Sequence, residues 1–472
     1  MDTYASARAM VAATTAGEIS AEELLELHLA RIAEVNPRVN AIVSLDADRA
    51  REAARAADRR RSARGPLFGL PFAVKDTHDA EGWPTTCGSP ILRDNVATGS
   101  DLLVERIIAA GAVVIGKTNV PEFAAGSHTF NPIFGTTLNP WDLGRSAGGS
   151  SGGAAAALAS GMVALADGSD MGGSLRNPAS FNGVVGLRPS LGRVPTWPSD
   201  NYWETVSVAG PLARTVDDLA LLLSVIAGPD PRVPTALGEP GSTFAPAVAG
   251  SLAEVRVALS VDLGGLLDVD VEVARVVEEA AGPLGAAGAS VRSAYPDLSR
   301  ADGVFRTLRA WLFHHGLGPL LADHADRMKP SLVANIRAGE SLTGEDVARG
   351  YAGRSALSDT MRTFFADYDV LALPVSQVAP FPADQEFPTS INGRAMEDYL
   401  AWMRSAYVIT TTGCPAISVP AGFTRDGLPV GLQLVGPHGS ERRLLEIAAG
   451  FESATGLRDL AAQRRPLDRL AV

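Results

Sequence analysis

The spacing of hydrophobic residues changes several times along the chain, and each spacing predicts a different element. Helical spacing fills the N-terminal segment 1–65, where Ser20 and Glu23 form a capping box before an apolar stripe. The pattern then predicts a short strand over 41–45 and an alanine-rich helix over 46–61. We therefore expect a mainly helical N-terminal segment.

Short apolar runs alternate with helical stretches over residues 66–227. The apolar runs are Pro71–Val74, Ala112–Ile115 and Met162–Leu165, and the helical stretches are Asp101–Ala110 and Gly153–Ser160. Strands that alternate with helices are typical of an α/β sheet packed on both faces. The pattern therefore predicts the α/β class.

The rest of the chain begins with a Pro/Gly-rich connection, residues 228–250. Residues 251–370 are mostly helical in pattern, and residues 371–472 return to strands before a last helix. The predicted strands are Val370–Pro374, Ala416–Pro420 and Pro429–Val435, and the last helix is about Glu441–Thr455. No internal repeat is evident, so a repeat architecture is not expected.

Composition narrows the class of protein. The 472 residues are 46% hydrophobic and 20% charged, which is typical of a globular protein and excludes a disordered one. The net charge of −12 argues against nucleic acid or an anionic membrane surface as a partner. Cys87 and Cys414 are too few for a disulfide framework or a cysteine zinc site. No signal-peptide pattern or membrane-length apolar run is found, so we predict a cytoplasmic protein.

One short motif matches a phosphate-binding pattern, but the residues in and after it favour another structure. Gly111–Thr118 fits the phosphate-binding pattern GxxxxGK[ST]. Its variable positions are Ala-Val-Val-Ile, which favour a buried strand, and Pro121 delays any helix start. We predict a strand followed by a turn here, with nucleotide binding as an outside alternative.

A second motif, Gly148–Gly152, fits the nucleophile-elbow pattern GxSxG. A hydrolase of that kind also needs a late histidine, and His438 is the only histidine near the C-terminus. The pattern normally places its serine between a strand and a helix, whereas we expect a loop before Gly148. His438 is therefore predicted to be a loop residue, and a serine–histidine hydrolase remains a testable alternative.

A third group of motifs is more specific. Lys75 ends the apolar run 69–75, and two glycine-rich segments follow at 148–153 and 168–179, the second of which contains Ser174. With these residues the chain resembles the amidase signature family. Three long motifs in this order are hard to obtain by chance.

The resemblance is strong over about residues 65–225 and weaker at 413–420 and 427–433, which look like the closing strands of the family. It implies one large α/β/α domain with a mixed central sheet covered by helices on both faces. Within that domain, 66–227 is the expected catalytic core and 251–370 the expected region of the substrate pocket.

The chemistry of these residues can be argued on its own terms. A serine hydroxyl is a weak nucleophile and needs a base within hydrogen-bond reach. A lysine at the end of an apolar strand can lose its proton, because burial penalises the ammonium form. The resemblance implies that Lys75 is the general base, Ser150 the proton shuttle and Ser174 the nucleophile. In the family the peptide bond before the residue matching Ser150 is cis.

The resemblance also implies an oxyanion hole made of backbone N–H groups, which glycines allow to approach the substrate closely. These N–H groups belong to Met171, Gly172, Gly173 and Ser174, and Asp170 and Arg176 are expected to brace the loop. Two positions depart from the family pattern. Thr77 stands where asparagine is most common, and Met171 stands where a smaller or β-branched residue is usual.

The expected reaction is hydrolysis of an amide C–N bond through an acyl-enzyme, without metal or cofactor. Aromatic residues in predicted loops favour apolar or aryl amides, and carbamates share the same acyl chemistry. The candidate pocket residues are Phe130, Phe134, Trp197, Trp203, Tyr399 and Trp402. The expected partner is a small amide substrate, with a homodimer as the default assembly.

Two other functions compete with this hypothesis. A glutaminase subunit of a tRNA-dependent amidotransferase would need a cationic pocket for the α-carboxylate of glutamine, for which Arg306, Arg309 and Arg404 are candidates. A catalytically silent binding protein of the same fold is the second alternative. Intact Lys75, Ser150 and Ser174 argue against it.

Overall fold

The structure is a computed structural model that describes residues 1–60, 64–457 and 465–467. The helices are α1 Ala7–Ala16, α2 Ala21–Val39, α3 Ala47–Asp58, α4 Leu102–Ala109, α5 Gly152–Ala159, α6 Arg176–Asn182, α7 Val216–Ile226, α8 Val271–Glu279, α9 Ala281–Ala286, α10 Ala301–Leu317, α11 Leu321–His324, α12 Pro330–Arg337, α13 Gly344–Phe364, α14 Arg404–Thr412 and α15 Glu441–Thr455.

Strands occur along the whole length of the described chain. They are β1 Ile42–Leu45, β2 Pro71–Lys75, β3 Val113–Thr118, β4 Phe130–Asn131, β5 Gly135–Thr136, β6 Leu138–Asn139, β7 Asp142–Ser146, β8 Leu165–Asp170, β9 Val185–Arg188, β10 Val208–Ala213, β11 Arg256–Leu259, β12 Ser290–Ser293, β13 Val370–Pro374, β14 Ser390–Ile391, β15 Arg394–Ala395, β16 Ala416–Phe423 and β17 Pro429–Val435.

Eight strands form the central sheet, in the order β12-β11-β13-β17-β16-β9-β10-β8. The β12, β11 and β13 strands run parallel, and the other neighbours are antiparallel. Helices α6, α7, α8 and α15 pack against this sheet. The prediction of a mixed sheet with helices packed on it is confirmed.

Lys75 lies in a separate sheet of three strands, in the order β1-β3-β2. The β2 and β3 strands run parallel, with Lys75 beside Thr118 at the end of the ladder. Helix α5 packs against this sheet and is buried on all sides because its residues are small and apolar. Gly153 is needed there, since an added Cβ would lie 2.4 Å from the Asn119 nitrogen.

The predicted element boundaries are confirmed at Val370–Pro374, Pro429–Val435 and Glu441–Thr455. The prediction of a strand at Met162–Leu165 is wrong, because the strand there is β8, which begins at Leu165 and runs through polar residues to Asp170. Those polar positions are tolerated in a buried strand because their side chains find partners inside the protein. The division of the chain into segments remains a prediction.

None of the helices in the described ranges is long and apolar enough to cross a membrane.

Candidate active site

Lys75 is the last residue of β2, and the apolar sequence of that strand buries it completely. Its backbone N–H donates to Asp167 Oδ1 on β8 at 3.0 Å, which fixes the end of the strand against the edge of the central sheet. The two sheets therefore meet where Lys75 points, and the lysine side chain is held between them.

The Lys75 ammonium nitrogen contacts three serine hydroxyls. Nζ lies 2.8 Å from Ser150 Oγ, 2.9 Å from Ser151 Oγ and 3.0 Å from Ser169 Oγ. No carboxylate lies within ion-pair distance of Nζ among the residues that the structure describes. A lysine in this setting has proton donors and acceptors around it, but no counterion to hold it in the charged form.

Burial lowers the pKa of Lys75 to about 7, against the smaller opposing effects of Asp167 and Asp170. The cause is desolvation, which penalises the ammonium form more than the neutral amine. Near neutral pH a substantial fraction of Lys75 is therefore uncharged. A neutral amine can accept a proton from an adjacent hydroxyl.

The glycine-rich segment before α5 brings Ser150 to Lys75. The peptide bond between Gly149 and Ser150 is cis, as the resemblance implies. The Gly149 carbonyl accepts a 2.6 Å hydrogen bond from Ser127 Oγ, which in turn accepts one from Asn177 Nδ2 at 3.0 Å. This chain of contacts ties the segment carrying Ser150 to the helix that follows Ser174.

Ser174 lies in the turn between β8 and α6 and is partly buried. Its carbonyl accepts a hydrogen bond from the Ser151 N–H at 3.2 Å, so the turn adjoins the Ser150–Ser151 segment. The sequence-predicted residues Lys75, Ser150 and Ser174 are thus brought to one place by three separate elements.

Asp170 organises the turn that carries Ser174. Its carboxylate accepts from the Gly173 N–H at 3.0 Å and the Leu175 N–H at 3.1 Å, and Arg176 forms two further bonds with it. Burial alone would raise the pKa of Asp170, but Arg176 and Arg188 hold it well below its ordinary value. This geometry supports a bracing role for Asp170 and Arg176.

The same contact limits which N–H groups are available for an oxyanion. The Gly173 N–H already donates to Asp170. Of the four N–H groups expected in the oxyanion hole, those of Met171, Gly172 and Ser174 are left in this structure. Gly173 has φ +115, and an added Cβ would lie 2.6 Å from the Ala406 Cβ. Only glycine fits this position.

A cavity of about 480 Å³ opens beside these residues. Ser169 and Met171 lie in its wall, as do Thr77, His78 and Trp197. Both departures from the family pattern, Thr77 and Met171, therefore line this cavity.

The predicted pocket aromatics are dispersed in the structure. Trp197 lines the cavity. Trp203 is 68% exposed, and Trp402 is 1% exposed and packs against Phe181 and Phe381. The assignment of Trp402 to the pocket is therefore wrong for this cavity, because its neighbours bury it in the core.

The other three predicted aromatics do not line this cavity either. Phe130 and Tyr399 lie within 6 Å of the Lys329 ammonium, which is 5.1 Å from the first ring centre and 5.9 Å from the second. Phe134 is half-buried, and its carbonyl accepts from Asn40. Of the three candidate arginines, Arg306 and Arg404 are within ion-pair distance of Asp302.

The fold shows where the residues of the phosphate-binding and nucleophile-elbow patterns lie. Lys117 of the phosphate-binding pattern lies in β3, where its Nζ donates to the His78 carbonyl at 2.6 Å. His438 is exposed in the loop after β17, as predicted. The prediction of a loop before Gly148 is wrong, because strand β7 ends at Ser146. This strand belongs to a two-stranded ribbon and not to the central sheet.

Sequence reasoning missed four residues that adjoin Lys75. Ser151 and Ser169 contact its ammonium, and His78 Nδ1 lies 2.5 Å from Asp167 Oδ2, beside the carboxylate oxygen that accepts the Lys75 N–H. The two serines lie inside the glycine-rich motifs, which was the available signal. His78 and Asp167 had none, because only the fold brings them together. Within the described ranges, no group of His, Cys, Asp or Glu is arranged to hold a metal ion.

Comparison with known proteins identifies the family of this chain. The sequence profile of the family described as Amidase matches residues 23–445. An acylamidase from Rhodococcus erythropolis is 37% identical over 99% of this chain and 98% of its own length. The A subunit of a glutamyl-tRNA(Gln) amidotransferase from Synechococcus sp. is 36% identical over 93% of this chain and 94% of that protein.

Among solved structures, a bacterial aryl acylamidase of the amidase signature family has a TM-score of 0.91 at 29% identity, with 98% of both chains covered. The chain therefore belongs to the amidase signature family. It is an enzyme that hydrolyses amides.

Proposed function

We propose that this enzyme is a serine amidase in which Lys75, Ser150 and Ser174 form a proton relay. The observation that carries the proposal is the buried Lys75 ammonium, which is surrounded by serine hydroxyls and has a pKa of about 7. A base with a pKa near the working pH combines a large neutral fraction with useful basicity.

The relay accounts for both halves of the reaction. Neutral Lys75 takes a proton from Ser150, and Ser150 takes the proton of Ser174. The Ser174 oxygen attacks the amide carbonyl carbon as it loses this proton. The tetrahedral oxyanion is stabilised by backbone N–H groups of the 171–174 turn. Ser150 then gives a proton to the departing nitrogen and recovers one from Lys75, which becomes neutral again. The C–N bond breaks, and the acyl group stays on Ser174.

Water completes the cycle. The same relay takes a proton from the water that attacks the acyl-enzyme, and the carboxylic acid is released with Ser174 restored. Every proton that leaves one group is taken up by another, so this reaction sequence needs no metal or cofactor.

We propose apolar or aryl amides as the substrate class, with carbamates within its chemical range. The cavity wall combines aliphatic and aromatic side chains, which suits a ring or an alkyl group. These side chains include Leu103, Phe123, Val194, Trp197 and Phe313. The likeness to an acylamidase and to an aryl acylamidase supports the same class.

The decisive experiment is labelling with a fluorophosphonate, followed by peptide mass spectrometry and a substrate panel. We expect one adduct, on Ser174, and hydrolysis of anilides by the purified chain. An adduct on Ser150, Ser151 or Ser169 would overturn the assignment of the nucleophile. No adduct and no turnover would favour the silent binding protein.

Similarity to amidotransferase A subunits supports one alternative function, a glutaminase subunit. A glutaminase subunit would hydrolyse glutamine faster when its partner subunits are added. Rapid anilide turnover by the chain alone, without glutamine hydrolysis in the presence of partner subunits, would reject it.

A further inference from the structure

The buried arginines of this protein differ in what neutralises them. Arg176 and Arg188 both lie within ion-pair distance of Asp170, and Arg193 lies 2.8 Å from Glu441. A buried guanidinium normally has such a partner, because an uncompensated charge away from water is costly.

Arg309 on α10 has no such partner. It is 3% exposed, and within the described ranges no carboxylate lies within ion-pair distance of it. Nη2 donates to the Tyr399 hydroxyl at 2.9 Å, and Nη1 faces the Met171 sulfur at 3.1 Å. Nε has no acceptor in this part of the structure. The guanidinium also lies 4.0 Å from the centre of the Phe313 ring. A thioether is a weak acceptor and a ring carries no net charge, so neither contact neutralises Arg309.

A second cation lies close by. Lys329 Nζ is 5.9 Å from the centre of the Tyr399 ring, and the Arg309 guanidinium is 5.8 Å from it. Nζ donates to the Ala125 carbonyl at 2.5 Å. Within the described ranges its nearest carboxylate oxygen belongs to Glu386, at 3.9 Å, and Glu386 also accepts from Ser331. Burial lowers the pKa of Lys329 to about 8, and Arg309 contributes to the shift.

This pair of cations adjoins the candidate active site. Met171, the side chain that Arg309 contacts, lines the cavity and begins the turn that carries Ser174. Phe313, whose ring centre lies 4.0 Å from the Arg309 guanidinium, lines the same cavity. Arg309 therefore contacts two side chains of the cavity wall, and one of them is a flexible thioether.

We propose that Arg309, assisted by Lys329, binds a carboxylate carried by the substrate, and that the Met171 thioether moves aside when it does. The inference rests on the proposed amidase function and narrows its substrate class to amides that bear an acidic group at one end. A planar carboxylate accepts two parallel hydrogen bonds from a guanidinium, which supplies the partner that the protein lacks.

The test compares acidic amides with neutral compounds of the same shape. One pair carries the group on the acyl side: the 4-nitroanilides of succinic acid and of 4-methylpentanoic acid. The other carries it on the amine side: 4-acetamidobenzoate and 4-isopropylacetanilide. We expect kcat/KM to favour the acid in at least one pair by about 10- to 100-fold, the range for a buried charged hydrogen bond.

Variants then assign that preference to a residue. In Arg309→Met the ratio of acid to neutral kcat/KM should fall by about the same factor, mainly through KM, and Arg309→Lys should recover part of it. Arg306→Met is the matched control, because Arg306 lies one turn away and is already paired with Asp302 and Asp398. It should leave the ratio unchanged.

Two results would overturn the inference: no acid preference in either pair, or an equal loss on acid and neutral substrates in Arg309→Met. The second would mean that Arg309 only supports the Met171 turn. Calorimetry of the two acids binding to the Ser174→Ala variant gives an independent measurement. If the wild-type enzyme cleaves no amide, the proposed function fails. Calorimetry still tests the inference, because it compares the affinity for the two acids with and without Arg309→Met.

Discussion

Lys75 and Lys117 are both fully buried and lie on the neighbouring strands β2 and β3, where Lys117 pairs with Val74 and Lys75 with Thr118. Burial lowers the pKa of both, since each ammonium has lost its hydration. The two side chains differ in what surrounds the nitrogen.

Lys117 donates to the His78 carbonyl at 2.6 Å and to Thr85 Oγ1 at 3.0 Å. A carbonyl can only accept, and nearby Asp76 favours the charged form. Lys75 contacts hydroxyl groups alone, and each hydroxyl can either donate or accept. In the proposed relay, depth of burial therefore does not make a lysine a base. Lys75 has three hydroxyls around its nitrogen that can give up a proton, whereas Lys117 has one hydroxyl and one carbonyl.

The largest expected effect is at Ser174, the nucleophile of the proposed relay. Ser174→Ala should lower kcat/KM for a 4-nitroanilide by about 10⁴-fold or more, since in the proposed mechanism the acyl intermediate forms on this oxygen. Circular dichroism and thermal unfolding should match the wild type. Retention of more than about 1% of the activity would show that another residue attacks the substrate.

The second prediction compares the two lysines directly. Lys75→Met should lower kcat/KM by about 10³-fold or more, because the relay loses its base. Lys117→Met should keep activity within about tenfold but cost about 1–3 kcal/mol of stability, since the His78 carbonyl and the Thr85 hydroxyl lose their partner. Kinetics and urea unfolding of both variants measure the contrast. Similar kinetic losses in the two would end the distinction.

The third prediction concerns pH. In the proposed relay neutral Lys75 is the active form, and its pKa is about 7, so kcat/KM should be half of its maximum near pH 7, level off above it and fall as the pH drops below it. The fall should approach about tenfold per pH unit, as expected for one group that must be deprotonated. Rates from pH 5 to 9, with unfolding checked at each pH, test this. A profile that is flat down to pH 5 would contradict a lysine base.

Contiguous motifs were sufficient to predict which segments meet at the candidate site. Lys75, Ser150 and Ser174, which the structure brings together, each lie in a run of glycine and apolar residues whose order is distinctive. Strands such as Pro429–Val435 were predicted correctly because a short, mostly apolar run bounded by turns is typical of a buried strand.

Residues whose role depends on distant contacts were not found. Ser169 meets Lys75 across 94 residues of sequence, and His78 meets Asp167 across 89. Trp402 was misplaced because Phe181 and Phe381, which bury it, are remote in sequence. Single-sequence patterns report local spacing, and these contacts are set by how sheets and loops meet.

A smaller effect is expected at Ser169. Ser169→Ala removes one of the three hydroxyls around Lys75 Nζ and should lower kcat by about two- to tenfold, the range for one hydrogen bond. Ser160→Ala is the matched control, because its buried hydroxyl has no partner in the described structure. Equal effects of the two substitutions would mean that Ser169 does not act through Lys75.

The smallest expected effect tests whether a histidine, and not Lys75, is the base. His438 is exposed in the loop after β17. His438→Ala should therefore change kcat/KM by less than about twofold, as expected for a surface substitution away from the site. Assays at pH 6 and pH 8 cover both sides of the histidine range. A drop of 100-fold or more, with the fold intact, would restore the serine–histidine hydrolase and leave Lys75, like Lys117, a buried lysine without a catalytic role.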